Sequence, residues 1–457
     1  RTSKVPSGNL LISPRWGFNW QSQGEKRTQV RAGAGMFNGQ LPYIWMADAL
    51  HNNGVRSQVF VCEGDAVPGF GLDVAPTGCE PERDAVVFSE DFRFPQDLKF
   101  SVAVDQELTD RWSVSFGALF SKSLHQVKPV LLNVDLGGDP DPEALQLGSQ
   151  RYFYGPVRKR YLDLAREVEA PFDRAVAMVN DGEDWATSFT AEVRGRLTSR
   201  LDLQLGYSLA RSWDRLSLVY PDMMSNFGFN PSVVDINKPP LETSTFDRPH
   251  KFVAALYGSI PGLDRSEVSF VYTGQSGTAL TYVYDFDVNG DGFPGTGPAQ
   301  DRFNDPIYVP ESGSDLPAGI ATQILTTDAL QTDPCLRKRR GDIMVRNSCR
   351  NPWENRLDLR LAQGFAIGAT DVRIEADLIN VLNALNGDWG HVQKTPSVVP
   401  LYERGGEANY LRWAGGFQRR ADADRDVVPA PAWSPLSPDS QWQLQIGARV
   451  TFDGARR

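Results

Sequence analysis

The sequence predicts an all-β chain, a transmembrane antiparallel β-barrel with long extracellular loops, and three observations predict it. Apolar and polar residues alternate strictly in several segments. Leu201, Leu203, Leu205, Tyr207 and Leu209 are interleaved with Asp202, Gln204, Gly206, Ser208 and Ala210. Trp442, Leu444, Ile446, Ala448, Val450 and Phe452 are interleaved with Gln443, Gln445, Gly447, Arg449 and Thr451. A β-strand sends successive side chains to opposite faces, so each segment lies between an apolar and a polar medium. Short turns and very long polar connections alternate between the segments, as they do at the two rims of a membrane barrel. No run of about 18 apolar residues occurs, which excludes a helical span, whereas a spanning strand needs only about 9–11 residues.

The strands follow in order. The alternation places roughly eleven of them, at 10–20, 28–37, 98–108, 112–121, 185–197, 201–213, 250–260, 267–275, 356–365, 371–381 and 441–452. The connections at 21–27, 109–111, 198–200, 261–265 and 366–370 are short and hold the Gly, Pro, Asp, Asn and Ser of hairpin turns. The other connections, starting at 38, 122, 214, 276 and 382, run for roughly 35–80 residues, far beyond ordinary loop lengths. A surface helix is expected at 157–170, between Pro156 and Pro171. Barrels of bacterial outer membranes close with an even number of strands, so an odd count ending at the short-turn rim implies strands before Arg1. The expectation is therefore half of a barrel of ~22 strands, the size of the large plugged transporters.

Composition agrees with this class. The chain of 457 residues holds 41 Gly, 31 Pro, 24 Phe, 13 Tyr and 11 Trp, which suits turns, loops and interfacial aromatic girdles. Its mean hydropathy of −0.36 looks soluble because only half of each strand meets lipid. A net charge of −10 disfavours nucleic acid as a partner, since a phosphate backbone calls for a basic face. No secretory signal opens the chain, and an exported protein needs one, so the sequence reads as processed or incomplete, with incompleteness favoured.

Several stretches carry a family resemblance: NLLISPRWGFN at 9–19, VRAGAGMFNGQLPY at 30–43, FPQDLKFSVAVDQEL at 94–108, DRPHKF at 247–252, DRFNDPIYVP at 301–310 and DLINVLN at 377–383. Together they resemble the C-terminal barrel portion of TonB-dependent outer-membrane receptors, specifically the Oar-like subgroup. The resemblance makes residues 1–457 one β-barrel domain, its C-terminal half, with the plug absent. It implies outer-membrane lipid as surroundings and the missing plug and barrel strands as partners. It further implies coupling to the TonB complex through the missing region and an unidentified ligand. Phe452 fits the terminal aromatic of such barrels, although residues 453–457 follow it.

Four cysteines fall in expected outer loops: Cys62 and Cys79 in one, Cys335 and Cys349 in another. An oxidising exterior favours disulfides. Four cysteines allow three pairings, and a shared loop favours Cys62–Cys79 and Cys335–Cys349. Zinc is the alternative, but no C-x-x-C spacing or neighbouring histidine cluster supports it.

The sharpest motif is DFDVNGDG at 285–292. Asp285, Asp287, Asn289 and Asp291 place oxygens at every second residue around Gly290, the opening of a calcium loop. The twelfth position is Thr296 instead of the bidentate Glu, so the loop is not a full EF-hand, and Asp301 or Asp305 would have to complete it. The bland alternative is a polar turn without an ion. No other cofactor is expected. His51, His125, His250 and His391 are scattered, no H-E-x-x-H occurs, and Gly274–Gly277 lacks the nucleophile-elbow spacing, so no enzyme chemistry is expected.

Glu192, Arg194, Arg196, Arg360, Arg373, Glu375 and Asp377 mark the polar faces. Leu201, Leu203, Leu205, Leu357, Leu359, Leu361, Val372 and Ile374 mark the apolar ones. In a barrel the first set lines the lumen and the second faces lipid. Trp16, Trp20, Trp112, Trp185, Trp213 and Trp442 sit near strand ends, where girdles form. The expected function is active transport across a bacterial outer membrane. Two rivals remain: an adhesin or secretion-associated barrel, and a soluble calcium-binding β-sandwich.

Overall fold

The computed structural model describes residues 6–51, 59–62, 67, 79–82, 84–132, 174–220, 223–233, 235–284, 304–311, 333–368, 370–387, 389–392, 397–404, 411–413 and 440–452. The chain opens with β1 (Arg15–Gln21), β2 (Thr28–Asn38) and α1 (Tyr43–His51). Then come β3 (Val59–Val61), β4 (Glu80–Glu82), β5 (Asp84–Phe88), β6 (Gln96–Thr109) and β7 (Trp112–Ser123). β8 (Gln126–Leu131), β9 (Arg174–Asp181), β10 (Trp185–Thr198) and β11 (Leu201–Asp214) follow, then α2 (Met223–Gly228) and β12 (Glu242–Thr243). The next group is β13 (His250–Gly258), β14 (Ser266–Gln275), β15 (Ala279–Tyr284), α3 (Pro334–Lys338) and β16 (Cys349–Arg350). The last is β17 (Glu354–Ile367), β18 (Thr370–Ile379), α4 (Val381–Leu385), β19 (Val398–Arg404), β20 (Leu411–Trp413) and β21 (Gln443–Phe452).

Eleven long strands form one meander in the order β1-β2-β6-β7-β10-β11-β13-β14-β17-β18-β21, with β12 added beside β11. Every neighbouring pair is antiparallel. These are the eleven strands expected from alternation. Most boundaries shift by one or two residues, as β13, which stops at Gly258, and β17, which runs from Glu354 to Ile367, show; two shifts have a clear local reason. β1 starts at Arg15, not at residue 10, because Pro14 has no N–H for the ladder. β18 stops at Ile379, short of 381, because Asn380 turns left-handed at φ 56° and α4 follows. The path does not close on itself among the described residues, so β1 and β21 are its two edges.

Register carries one apolar face across all eleven strands. A single row reads Trp20, Val30, Val104, Phe116, Ala191, Tyr207, Phe252 and Gly274. Farther along, Leu203, Leu256, Phe270, Leu359, Leu378 and Leu444 lie side by side. No element covers this face among the described residues: Phe116 is 58%, Phe189 54% and Ile446 70% exposed. Ordinary soluble surfaces do not present an apolar area of this extent.

The opposite face is charged. Arg31 pairs with Asp105 at 2.6 Å, Arg360 with Glu375 at 2.6 Å, and Arg373 with both Glu375 and Glu267. Gln204 donates to Glu192, which also pairs with Arg194. Leu201, Leu203, Leu205, Leu357, Leu359, Leu361, Val372 and Ile374 all share the apolar face, and Arg194, Arg360 and Glu375 the polar one.

The buried hydrophobic cluster lies elsewhere, in the long connections. Trp45 and Ala49 of α1, Val86 and Phe88 of β5, Val127 and Leu131 of β8, and Val176 and Met178 of β9 join Met223, Phe227 and Ile236. β5 runs parallel to β9, and β8 antiparallel to it. Three connections from one rim of the meander thus share one core.

Candidate functional site: the folded cap and the mouth beneath it

The remaining long connections build a second lobe at the same rim. β15 pairs with β16 and runs parallel to β19. Val283, Tyr284, Ile307, Val309, Leu336 and Met344 are buried there. Asp333 caps α3, accepting from Cys335 N at 2.7 Å, and its other oxygen accepts from Tyr282 Oη at 2.7 Å. Burial and the nearby Asp333 carboxylate push the Tyr282 phenol well above its ordinary range.

Both sequence-expected disulfides form. Cys62 joins Cys79, and Cys335 joins Cys349, with Cα atoms 4.5 Å and 5.6 Å apart. The second bridge ties α3 to β16 and encloses the turn that carries Arg346.

Arg346 pins this lobe onto β11. Its side chain is 2% exposed. Its guanidinium donates to Asp214 Oδ1 at 2.8 Å and to the Asp214 carbonyl, with longer contacts to Ser217, Asn230 and Glu242. The other Asp214 oxygen accepts from Ser217 and Ser244 hydroxyls. Asn347 continues the network to Thr243 O, and Arg350 reaches Asp247. A buried arginine needs all its donors satisfied, and here two lobes and a strand end satisfy them together.

Beneath the cap is a cavity of 260 Å³ where β7, β10 and β11 end. Its apolar lining includes Trp45, Leu216, Leu218 and Phe246, together with Trp185, Ala186 and Trp213 at the strand ends. Ser121, Ser123, Gln126, Ser212 and Ser244 supply hydroxyl and amide groups, with Asp184 and Asp214 as carboxylates. Burial pushes the Asp184 carboxyl up to about 6, and the Asp214 and Asp181 carboxylates add to this, against the Arg215 N–H that donates to it. Burial likewise raises Glu242, although Arg346 opposes it. Asp181 moves the other way: its burial is outweighed by Lys128, at 2.9 Å, and it sits below the usual range. The mouth therefore holds one carboxyl ready to take a proton near neutrality beside an aromatic wall, a lining suited to a small polar or cationic group.

On the charged face, Gly33, Ser101, Ala103, Gly117, Ser188 and Thr190 line a shallow trough of 390 Å³. A methyl on Gly117 would come within 2.7 Å of Thr190 Oγ1, so glycine keeps this floor low. Near the short-turn rim a second recess of 530 Å³ is lined by Tyr257, Glu267, Asp371, Arg373 and Arg449.

A family model described as an outer membrane beta barrel domain matches residues 2–391. The chain belongs to that family. It is a β-barrel protein of the bacterial outer membrane, its apolar face turned to lipid and its charged face to the lumen. Among solved structures it is similar to the outer membrane transporter YddB of Escherichia coli, at 12% identity and a TM-score of 0.42, covering 78% of this chain and 35% of that one. It is also similar to the siderophore receptor PirA of Pseudomonas aeruginosa, at 8% and 0.34, with 81% and 39% covered. A third is the FrpB iron transporter of Neisseria meningitidis, at 10% and 0.36, with 81% and 34% covered. The chain thus spans well under half the length of these structures, and similarity at this level says nothing of what it binds. No curated protein matches.

The barrel does not gather the histidines. His51 ends α1, His125 precedes β8, His250 opens β13 with Nδ1 2.7 Å from Tyr207 Oη, and His391 follows α4. No group of three or more His, Cys, Asp or Glu that could hold a metal occurs among the described residues. Asp285, Asp287, Asn289, Asp291, Thr296 and Asp301 lie outside the described residues, as does the helix expected at 157–170. Asp305 is fully buried, with its carbonyl accepting from Tyr284 N. Sequence reasoning missed Asp184, Asp214 and Arg346. Their signal is faint: single charges at strand ends, meaningful only once the loops are seen to fold over them.

Proposed function

We propose that this chain is the barrel of an active transporter that takes up a ligand across the outer membrane, with a plug on its luminal face and energy supplied through TonB. The observation that carries this reading is the division of labour in the sheet. One face is apolar across eleven strands, the other is charged with shallow recesses, and the connections at one rim fold into a cap with its own core. A passive pore needs no folded cap of this size. A receptor does, because capture precedes transport. The mouth cavity with Trp45, Asp184 and Phe246 is the proposed point of first contact.

The test compares cells lacking the protein with cells lacking TonB. Each is grown on mixtures of nutrients too large for porins, and the spent media are compared by mass spectrometry. Uptake predicts that at least one compound is left behind by both strains. An adhesin or secretion partner predicts that the first strain loses surface attachment or an exported protein while its spent medium matches wild type.

A further inference from the structure

We propose that the outer end of β7, β10 and β11 holds the phosphate-bearing headgroup of an outer-leaflet lipid between Lys122 and Arg211. Every ladder position on the apolar face can be followed from β1 to β21. Two charged side chains occur on it, Lys122 facing Leu98 and Trp185, and Arg211 facing Thr187. Both are basic. Both lie at the long-loop rim, which is the outer leaflet. They stand on either side of β10 and two residues apart along the strands, so two strand spacings and two residue rises separate their backbones by roughly 12 Å.

Neither cation has an ion-pair partner among the described residues. The Lys122 ammonium donates to the Glu183 carbonyl at 2.6 Å, and Arg211 makes one long contact to the Ala210 carbonyl. Between them Trp185 stacks on Trp213 with ring centroids 4.2 Å apart, and Phe120 lies 6.3 Å from Trp185. Stacked indoles fix the depth of the membrane interface here. A long basic side chain at that depth reaches up to the headgroups. Two cations without an ion-pair partner among the described residues, both on a lipid-facing wall, complement a phosphate, and a guanidinium binds phosphate through two parallel N–H donors.

The test uses the protein as its full chain, reconstituted in phosphatidylcholine bilayers with a minor fraction of bisphosphorylated lipid A or of its dephosphorylated form. Lipid retained through repeated detergent exchange is quantified by mass spectrometry. The wild type should retain the phosphorylated lipid by on the order of tenfold over the other, as expected for two basic residues at a charged interface. Lys122→Gln with Arg211→Gln should abolish the preference and leave retention of the dephosphorylated lipid unchanged. Lys251→Gln, which removes a cation from the luminal face near the same rim, should leave the preference intact. Equal retention of both lipids by the wild type would overturn the proposal, even if the double variant fails to insert. Persistence of the preference in the inserted double variant, or its loss in Lys251→Gln, would overturn it as well.

Discussion

Arg346 is where the cap is most exposed to a single change. Its guanidinium joins Asp214, Ser217 and Asn230 under 2% exposure, so truncation strands a buried carboxylate. Breaking one side of such a pair costs about 3–5 kcal/mol, whereas a neutral replacement of the whole pair costs far less. Arg346→Ala should therefore open the lobe around β15 and β16, and hydrogen exchange at 279–284 and 343–350 should rise while the barrel strands stay protected. Asp184 governs the mouth differently. Its carboxyl rises from an ordinary 3.8 to about 6, so the folded mouth favours the proton more than the unfolded chain does. The stability this contributes is complete below about pH 4 and is lost as pH climbs through 6. A shift of that size is worth about 3 kcal/mol at most, and less for a partly exposed group. The groups facing it are Asp181, Asp214, Arg215 and Arg346. Protection factors at 182–186, taken after correction for the intrinsic pH dependence of amide exchange, should be higher at pH 5 than at pH 7, and Asp184→Asn should remove the difference. Below pH 4, protonation of Asp181 reverses the trend, since its carboxyl is depressed by Lys128.

The elements were unequally legible. Long barrel strands announce themselves because alternation over ten or more residues has few other causes. The cap strands did not. Val86-Val87-Phe88, the run from Val127 to Leu131, and Ala175 to Met178 are short apolar runs inside polar connections, and periodicity alone does not separate such runs from buried loop. Their partners come from other connections, as β5 with β9 and β15 with β19 show, so no local signal pairs them. The two disulfides were legible, because each pair shares one connection. Closing a loop of about 15 residues is worth about 3 kcal/mol, so reducing Cys335–Cys349 should loosen α3 and the Arg346 turn. Mass-spectrometric mapping of trypsin cuts should show new cleavage at Arg337 to Arg340 after reduction. The calcium motif remains a proposal carried by oxygen spacing at Asp285, Asp287, Asn289 and Asp291. If it binds, calcium at millimolar concentration should slow digestion of the 276–352 connection, and Asp287→Ala should erase the effect. Identical digestion with and without the ion would make the motif a turn.

At the scale of the whole molecule the fold follows from its two media. Side-chain alternation sets the register, and register joins eleven separate apolar stripes into one lipid-facing wall. A soluble sandwich would have buried that wall against a second sheet, yet Phe116, Phe189, Phe270 and Ile446 on it are exposed and the hydrophobic cluster sits in the cap. Sequence alone showed this much, because the lipid face needs only local alternation. It did not show the mouth, which depends on contacts between connections far apart in the chain. A cation placed on the wall at mid-membrane should cost about 2–4 kcal/mol, whereas the same change on the luminal face should be nearly neutral. Leu205→Arg and Gln204→Arg make that comparison between adjacent residues of β11.

Spin labels placed one at a time along 201–210 in the membrane-inserted protein test the assignment of the two faces most directly. Labels at Leu201, Leu203, Leu205, Tyr207 and Leu209 should collide readily with dissolved oxygen and rarely with a water-soluble nickel chelate. Labels at Asp202, Gln204, Gly206 and Ser208 should show the opposite, in strict alternation. Uniform accessibility along the strand, or alternation with the two sets exchanged, would contradict it.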